Sequence, residues 1–153
     1  ATPPSSNITT SERKWKIDPL TDEPSITSKC YLDVKVGDNE PRRIIIGLYG
    51  KAVPKVARNF EELCQGSSSF KYAGSEVYRV LAGMNVQGGA VAGSKGKVGK
   101  STYGEPFTPE NFDIRHSRRG LVSMVRNPDG TVDSRFFVQT QDDAGYLDGR
   151  YVA

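Results

Sequence analysis

An arginine stands inside an apolar, strand-like run at SEVYRVL, residues 75–81, and the chain continues through AGMNVQGG, residues 82–89. Alternation along a strand puts Val77, Arg79 and Leu81 on one face, with Tyr78 and Val80 on the other. RFFVQTQ, residues 135–141, repeats the arrangement, with Arg135, Phe137 and Gln139 sharing a face opposite Phe136 and Val138. Two strands therefore each set a guanidinium beside apolar neighbours. A guanidinium stays charged and offers a rigid planar fork of donors, so its chemistry is electrostatic: a fixed cation at the floor of a pocket.

Other reactive types are scarce. His116 is the single histidine, so a Cys/His zinc site lacks ligands, and no GxSxG elbow accompanies it for a Ser-His-Asp triad. No partner for it can be named from the sequence, and it reads as structural. GSKGKVGKS, residues 93–101, looks like a phosphate loop, but Gly93 and Gly99 enclose five residues where that pattern needs four. It reads as a basic surface loop. IRHSRRG, residues 114–120, has no aromatic residues interleaved with its charges, as a nucleic-acid stacking platform requires, and reads as a solvated turn. Cys30 and Cys64 are too few for a disulfide framework; one bridge or two buried thiols are both open, the thiols favoured.

The elements that must position these groups follow from pattern. At 153 residues, with 36% hydrophobic and 25% charged residues, the chain suits one globular domain with a substantial core. No apolar run reaches the length of a membrane span, and a net charge of +3 does not argue for nucleic acid. Residues 1–28, rich in Ser, Thr and Pro, read as an extended arm in which Trp15, the only tryptophan, docks on the chain's own domain, residues 29–153. Leu32, Val34 and Val36 alternate with polar neighbours, GDNEP is a turn, and RRIIIGLYG, residues 42–50, is a second strand, together a hairpin. Pro54 opens a helix with Val56, Phe60 and Leu63 on one side and Gly66 at its end. SEVYRVL, LVSMV and RFFVQTQ read as further strands, the last preceded by the NPDG turn at 127–130. Many short strands and one clear helix point to a β-barrel or sandwich.

YLDVKVGDNEPRRIIIGLYGKAVPKVARNFEELCQG, YRVLAGMNVQGG, GKSTYGEPFTPENFDIRH, GLVSM, SRFFVQT and YLDGRYV occur in this order over residues 30–153. Together they resemble the cyclophilins, the cyclosporin-binding peptidyl-prolyl isomerases. The resemblance implies an all-β dominated fold, a closed eight-stranded antiparallel barrel with capping helices and a groove on its outer surface. It also implies that the final strands and the second helix are missing, so that Ala153 marks a truncation.

The implied reaction is rotation about X–Pro bonds in peptides or proteins, which needs no metal or cofactor. By motif position Arg79 resembles the catalytic arginine, Gln87 the backbone-binding glutamine, and Phe137 and Leu147 parts of the proline pocket. Departures lie in the same groove. Met84 and Asn85 stand where the family has phenylalanine and methionine, and Val125 and Arg126 replace alanine and asparagine. Arg135 replaces glutamine, Tyr146 tryptophan and Tyr151 histidine. Convergence of Arg79, Arg126 and Arg135 would call for an acidic residue or anion among them, and hence for acidic or phosphorylated peptides. Two readings follow: an isomerase of altered specificity, or a catalytically impaired binding subunit of a larger assembly. The non-methionine start and the Ser/Thr/Pro arm lead to the expectation of a processed organelle protein, in the chloroplast or its thylakoid lumen.

Overall fold

The computed structural model describes residues 15–66, 70–91 and 99–153. The first hairpin joins β1 (Ser28–Val34) to β2 (Arg42–Leu48), antiparallel, from Ser28 opposite Leu48 to Val34 opposite Arg42. Cys30 and Leu32 are partly buried against the core while Lys29, Tyr31 and Asp33 face outward, as the alternation requires. The alternation stops earlier than its sequence pattern: Val36 lies beyond the strand, 69% exposed, and its carbonyl accepts from Asn39 N–H in the turn.

Helix α1 spans Pro54–Gln65 and opens on the proline, whose missing N–H costs nothing in the first turn. Gly66 closes it with φ 70°, a left-handed conformation that lets its N–H reach the Glu62 carbonyl at 3.0 Å. Val56, Ala57, Asn59, Phe60 and Leu63 form its buried stripe. Asn59 belongs there because its amide is satisfied on both sides: Nδ2 donates to Asp133 O at 3.0 Å, and Oδ1 accepts from Thr102 N–H at 2.9 Å.

The second sheet is antiparallel, in the order β3-β4-β6-β5. It comprises β3 (Val77–Leu81), β4 (Asn85–Gly88), β5 (Val122–Arg126) and β6 (Val132–Gln139). The NPDG turn joins β5 to β6, with Gly130 at φ 88° and its N–H on the Asn127 carbonyl. β4 is a central strand that the pattern of NVQG did not announce. The described strands are thus mainly antiparallel β with one α-helix, in a two-stranded and a four-stranded sheet.

Phe60 of α1, Tyr72 and Phe136 of β6 meet at 5.0–5.4 Å in the core, Phe136 edge-on to both and Phe60 tilted on Tyr72, beside Leu63, Ile114, Met124 and Val132. Residues from Trp15 onward lie against the domain. Ile17 bridges Ile114 in parallel, Asp18 takes Arg115 at 3.1 Å, and the Arg115 guanidinium sits 5.1 Å from the Trp15 ring.

The 114–120 segment is therefore not a solvated turn. Ile114, His116 and Ser117 are buried, and Arg115, Arg118 and Arg119 are paired with Asp18, Glu23 and Asp142. Asp18 and Glu23 come from the arm and Asp142 from the segment after β6, partners that local sequence does not supply. Most of the glycine-rich 93–101 stretch falls outside the described residues. Among the described residues no helix is long and apolar enough to cross a membrane, and no group of three or more His, Cys, Asp or Glu side chains could hold a metal ion.

Candidate active site

Three of the residues singled out in the sequence form one row across the second sheet. Arg79 of β3 lies opposite Gln87 of β4, Gln87 opposite Phe137 of β6, and Phe137 opposite Ser123 of β5. Directly opposed residues project to the same face, about 5 Å apart. The other face carries Val86, Val138, Met124 and Phe136, the latter three packed in or against the main core. Exposure falls steadily along the row. Arg79 is exposed and Gln87 half-buried, whereas Phe137 is 4% and Ser123 0% exposed.

The Arg79 end is shaped by a β-bulge. The register shifts by one between Val77 and Arg79, leaving Tyr78 without a partner across the ladder. Strict alternation sends Tyr78 away from Arg79; instead its hydroxyl donates to Gln87 Oε1 at 3.4 Å. Gln87 Nε2 in turn donates to Asn85 Oδ1 at 3.2 Å, so the carboxamide is held from both ends. Burial pushes the Tyr78 hydroxyl above its ordinary pKa, while the charges of Arg135 and Arg79 pull the other way. The Arg79 side chain is exposed and makes no hydrogen bond or ion pair among the described residues.

The Phe137 end is a second, smaller apolar cluster. Phe137, Ala144 and Leu147 are buried together, with Val125 and Tyr151 packed against them. Tyr151 meets the Phe137 ring edge-on, 5.6 Å between centroids. A single 3-10 turn, Gly145–Leu147, delivers Leu147, and the Tyr151 N–H is fixed on the Leu147 carbonyl at 3.1 Å. The expected pocket residues Phe137 and Leu147 are thus in one place, joined by Val125 and Tyr151, which were expected elsewhere along the groove.

Four others lie outside this apolar cluster. Met84 is exposed in the turn between β3 and β4; its carbonyl accepts from Thr140 N–H, but its side chain is no part of the cluster. Tyr146 is 53% exposed, its hydroxyl accepting from Gln141 Nε2 at 2.6 Å. Arg126 is exposed beside Gly130. Arg135 is turned back onto buried Asp133, with Nη2 at 2.9 Å from Oδ2 and Nε at 3.1 Å from Oδ1, and it also reaches Asn127. The register slips by two residues here, between Met124 opposite Phe136 and Arg126 opposite Val132. Asp133 supplies the counter-charge, so the three arginines do not form an uncompensated cluster, and the expected preference for acidic peptides loses its basis.

Beneath the row lies a chain of polar groups that sequence reasoning passed over. His116 Nε2 is 2.9 Å from Ser123 Oγ and Nδ1 is 3.2 Å from Asp148 Oδ1. The carboxylate can only accept, so Nδ1 carries the proton and Nε2 accepts from the Ser123 hydroxyl. Burial lowers the pKa of His116, with Asp148 opposing, which keeps the ring neutral. The order is that of a hydrolase triad, yet Ser123 and His116 are each 0% exposed, so no acyl group reaches Oγ. What the chain does is positional. Asp148 Oδ1 also accepts from His116 N–H at 2.7 Å, and the His116 carbonyl accepts from Ala144 N–H at 2.9 Å. The loop bearing Leu147 is thereby tied under Phe137. No local spacing advertises this, because its members come from three separate stretches of chain.

The model of the cyclophilin type peptidyl-prolyl cis-trans isomerase family matches residues 31–153. The chain belongs to the cyclophilin-type family. Peptidyl-prolyl cis-trans isomerase B of Saccharomyces cerevisiae is 42% identical over 132 residues, which cover 86% of this chain and 64% of that protein. Peptidyl-prolyl cis-trans isomerase CYP21-1 of Arabidopsis thaliana is 38% identical over 140 residues, 87% of this chain and 62% of the relative. The chain therefore spans a little under two thirds of the length of these cyclophilin-type relatives. Of the site residues, Arg79, Gln87, Phe137, Leu147 and Tyr151 all fall within the matched span.

Proposed function

We propose that the chain catalyses cis-trans isomerisation of X–Pro bonds in peptides and proteins, with Arg79 as the catalytic donor. Rotation about the bond must break amide resonance, a barrier of about 18–20 kcal/mol. No nucleophile or metal is needed. A donor aimed at the imide nitrogen favours the twisted, pyramidal state over the planar one, and a donor already in place lowers the barrier without reorganisation. The observation that carries the proposal is the Arg79–Gln87–Phe137 row, with an exposed guanidinium that has no partner among the described residues at one end and an apolar cluster at the other. Gln87, fixed by Tyr78 and Asn85, holds the peptide backbone between them, and Phe137, Leu147, Val125 and Tyr151 receive the ring. Family membership supports this reading, and also the placing of both sheets in one closed eight-stranded barrel.

One observation favours a second reading, a binding subunit with little catalysis. Phe137 has only 4% of its surface exposed, with Tyr151 packed on it, which leaves a proline ring little apolar face to occupy. The two readings separate in an assay of prolyl-peptide interconversion with wild type and Arg79→Ala. A wild-type rate above the uncatalysed one that collapses in the variant supports the isomerase. Equal rates at the uncatalysed level support the subunit.

A further inference from the structure

Cys30 of β1 and Cys64 in the last turn of α1 are 34 positions apart in the chain, yet their sulfurs lie 3.3 Å from each other. Both are free thiols and both residues are half-buried, so neither is sealed inside the core. A disulfide needs its sulfurs about 2.05 Å apart, so closure asks for a movement of little more than 1 Å, within reach of small side-chain rotations. The elements carrying the pair are already packed, and Ser28 Oγ at the start of β1 contacts Glu61 Oε2 of α1 at 3.4 Å. The two thiols are also polarised differently. Cys64 S–H donates to Cys30, which lowers the Cys30 pKa against the opposing effects of burial and Glu61, while the same bond and burial raise that of Cys64.

We propose that Cys30 and Cys64 form a reversible disulfide on exchange with a low-molecular-weight disulfide, stapling β1 to α1. The Cys30 thiolate attacks one sulfur of the reagent and releases one thiolate, which takes up a proton. Cys64, deprotonated by solvent base, then attacks the Cys30 sulfur of the mixed disulfide and displaces the second small thiol. Two protein thiols and one external disulfide give one protein disulfide and two external thiols, and the external disulfide is the two-electron acceptor. The staple lies between the first hairpin and the helix rather than in the Arg79 row, so it stands or falls independently of the proposed activity.

The experiment treats the reduced chain with oxidised glutathione and follows intact mass under non-reducing conditions together with Tm. The expected product is two hydrogens lighter than the reduced chain, carries no glutathione, and reverts with dithiothreitol. Closing a loop of this length raises Tm by about 8–15 °C in the chain-entropy picture. Cys64→Ser should instead retain one glutathione, on Cys30. Persistent glutathione adducts on the wild type, unreacted thiols in excess reagent, or a bridged form that melts below the reduced one would each overturn the proposal.

Discussion

Replacing Arg79 by alanine separates what holds this protein together from what it does. The side chain is exposed and has no hydrogen bond or ion pair among the described residues, so little of the described packing rests on it. An exposed substitution of this kind changes stability by about 0.5 kcal/mol at most, and Tm by about 2 °C. The rate is another matter. Loss of one preorganised donor to a transition state costs roughly 10²–10³-fold. Because Arg79 faces solvent, screening places it at the lower end, about 100-fold or about 2.7 kcal/mol. Arg79→Lys keeps the charge and loses the planar fork, so it should fall between, about 10-fold below wild type. Interconversion of a proline-containing peptide, followed by protease coupling or by exchange NMR, reads these values directly, with thermal melts run alongside. A variant that keeps the wild-type kcat/KM, or that loses activity only because it melts far lower, would refute the assignment of Arg79 as the donor.

Three further outcomes follow from the packing. The buried His116 has its pKa held below the ordinary 6.5, so the unfolded chain binds a proton that the folded one refuses. Stability is then complete above about pH 6.5 and declines as pH falls beneath it, which Tm measured between about pH 8 and pH 5 should display; a flat wild-type profile would count against a neutral buried His116. Gly89 has φ 86°, and a Cβ there would come within 2.5 Å of Ser134 O and 2.8 Å of Phe136 Cδ1. Gly89→Ala should therefore cost about 3 kcal/mol or more in denaturant unfolding, and a loss below about 1 kcal/mol would show that the backbone can yield. Asp133→Asn removes the carboxylate facing Arg135 while Asn127 still accepts from it, for an expected loss of about 2–3 kcal/mol in chemical denaturation; an unchanged midpoint would show the pair to be energetically idle.

Local patterns with strong chemical causes were legible. Pro54 and Gly66 bracket the helix because one lacks a donor and the other tolerates positive φ, and NPDG closes a hairpin for similar reasons. β4 was not legible: four residues, two of them amides and one glycine, carry no β-branched pattern, and only pairing to β3 and β6 makes them a strand. Alternation grouped Arg79 with Leu81 and Phe137 with Gln139, but only the register puts Arg79 on the face of Phe137; alternation also misplaced Val77 and Tyr78, since a bulge adds a residue without marking the sequence. It also failed for Arg135, whose direction is decided by a buried aspartate two positions away and a slip in register. The Ser123–His116–Asp148 chain could not be read because its spacing belongs to the fold and not to any segment.

The arm's attachment has a consequence for how the chain comes together during synthesis. Asp18 and the Arg115 that holds it are 97 positions apart. At ribosomal rates of about 5–20 residues per second, the arm leaves the ribosome roughly 5–20 s before its dock exists. Its settling therefore comes late, after the hairpin and helix have had time to form. Because Trp15 is the chain's single tryptophan and lies on Arg115, its fluorescence times that closing event and not the collapse of the core.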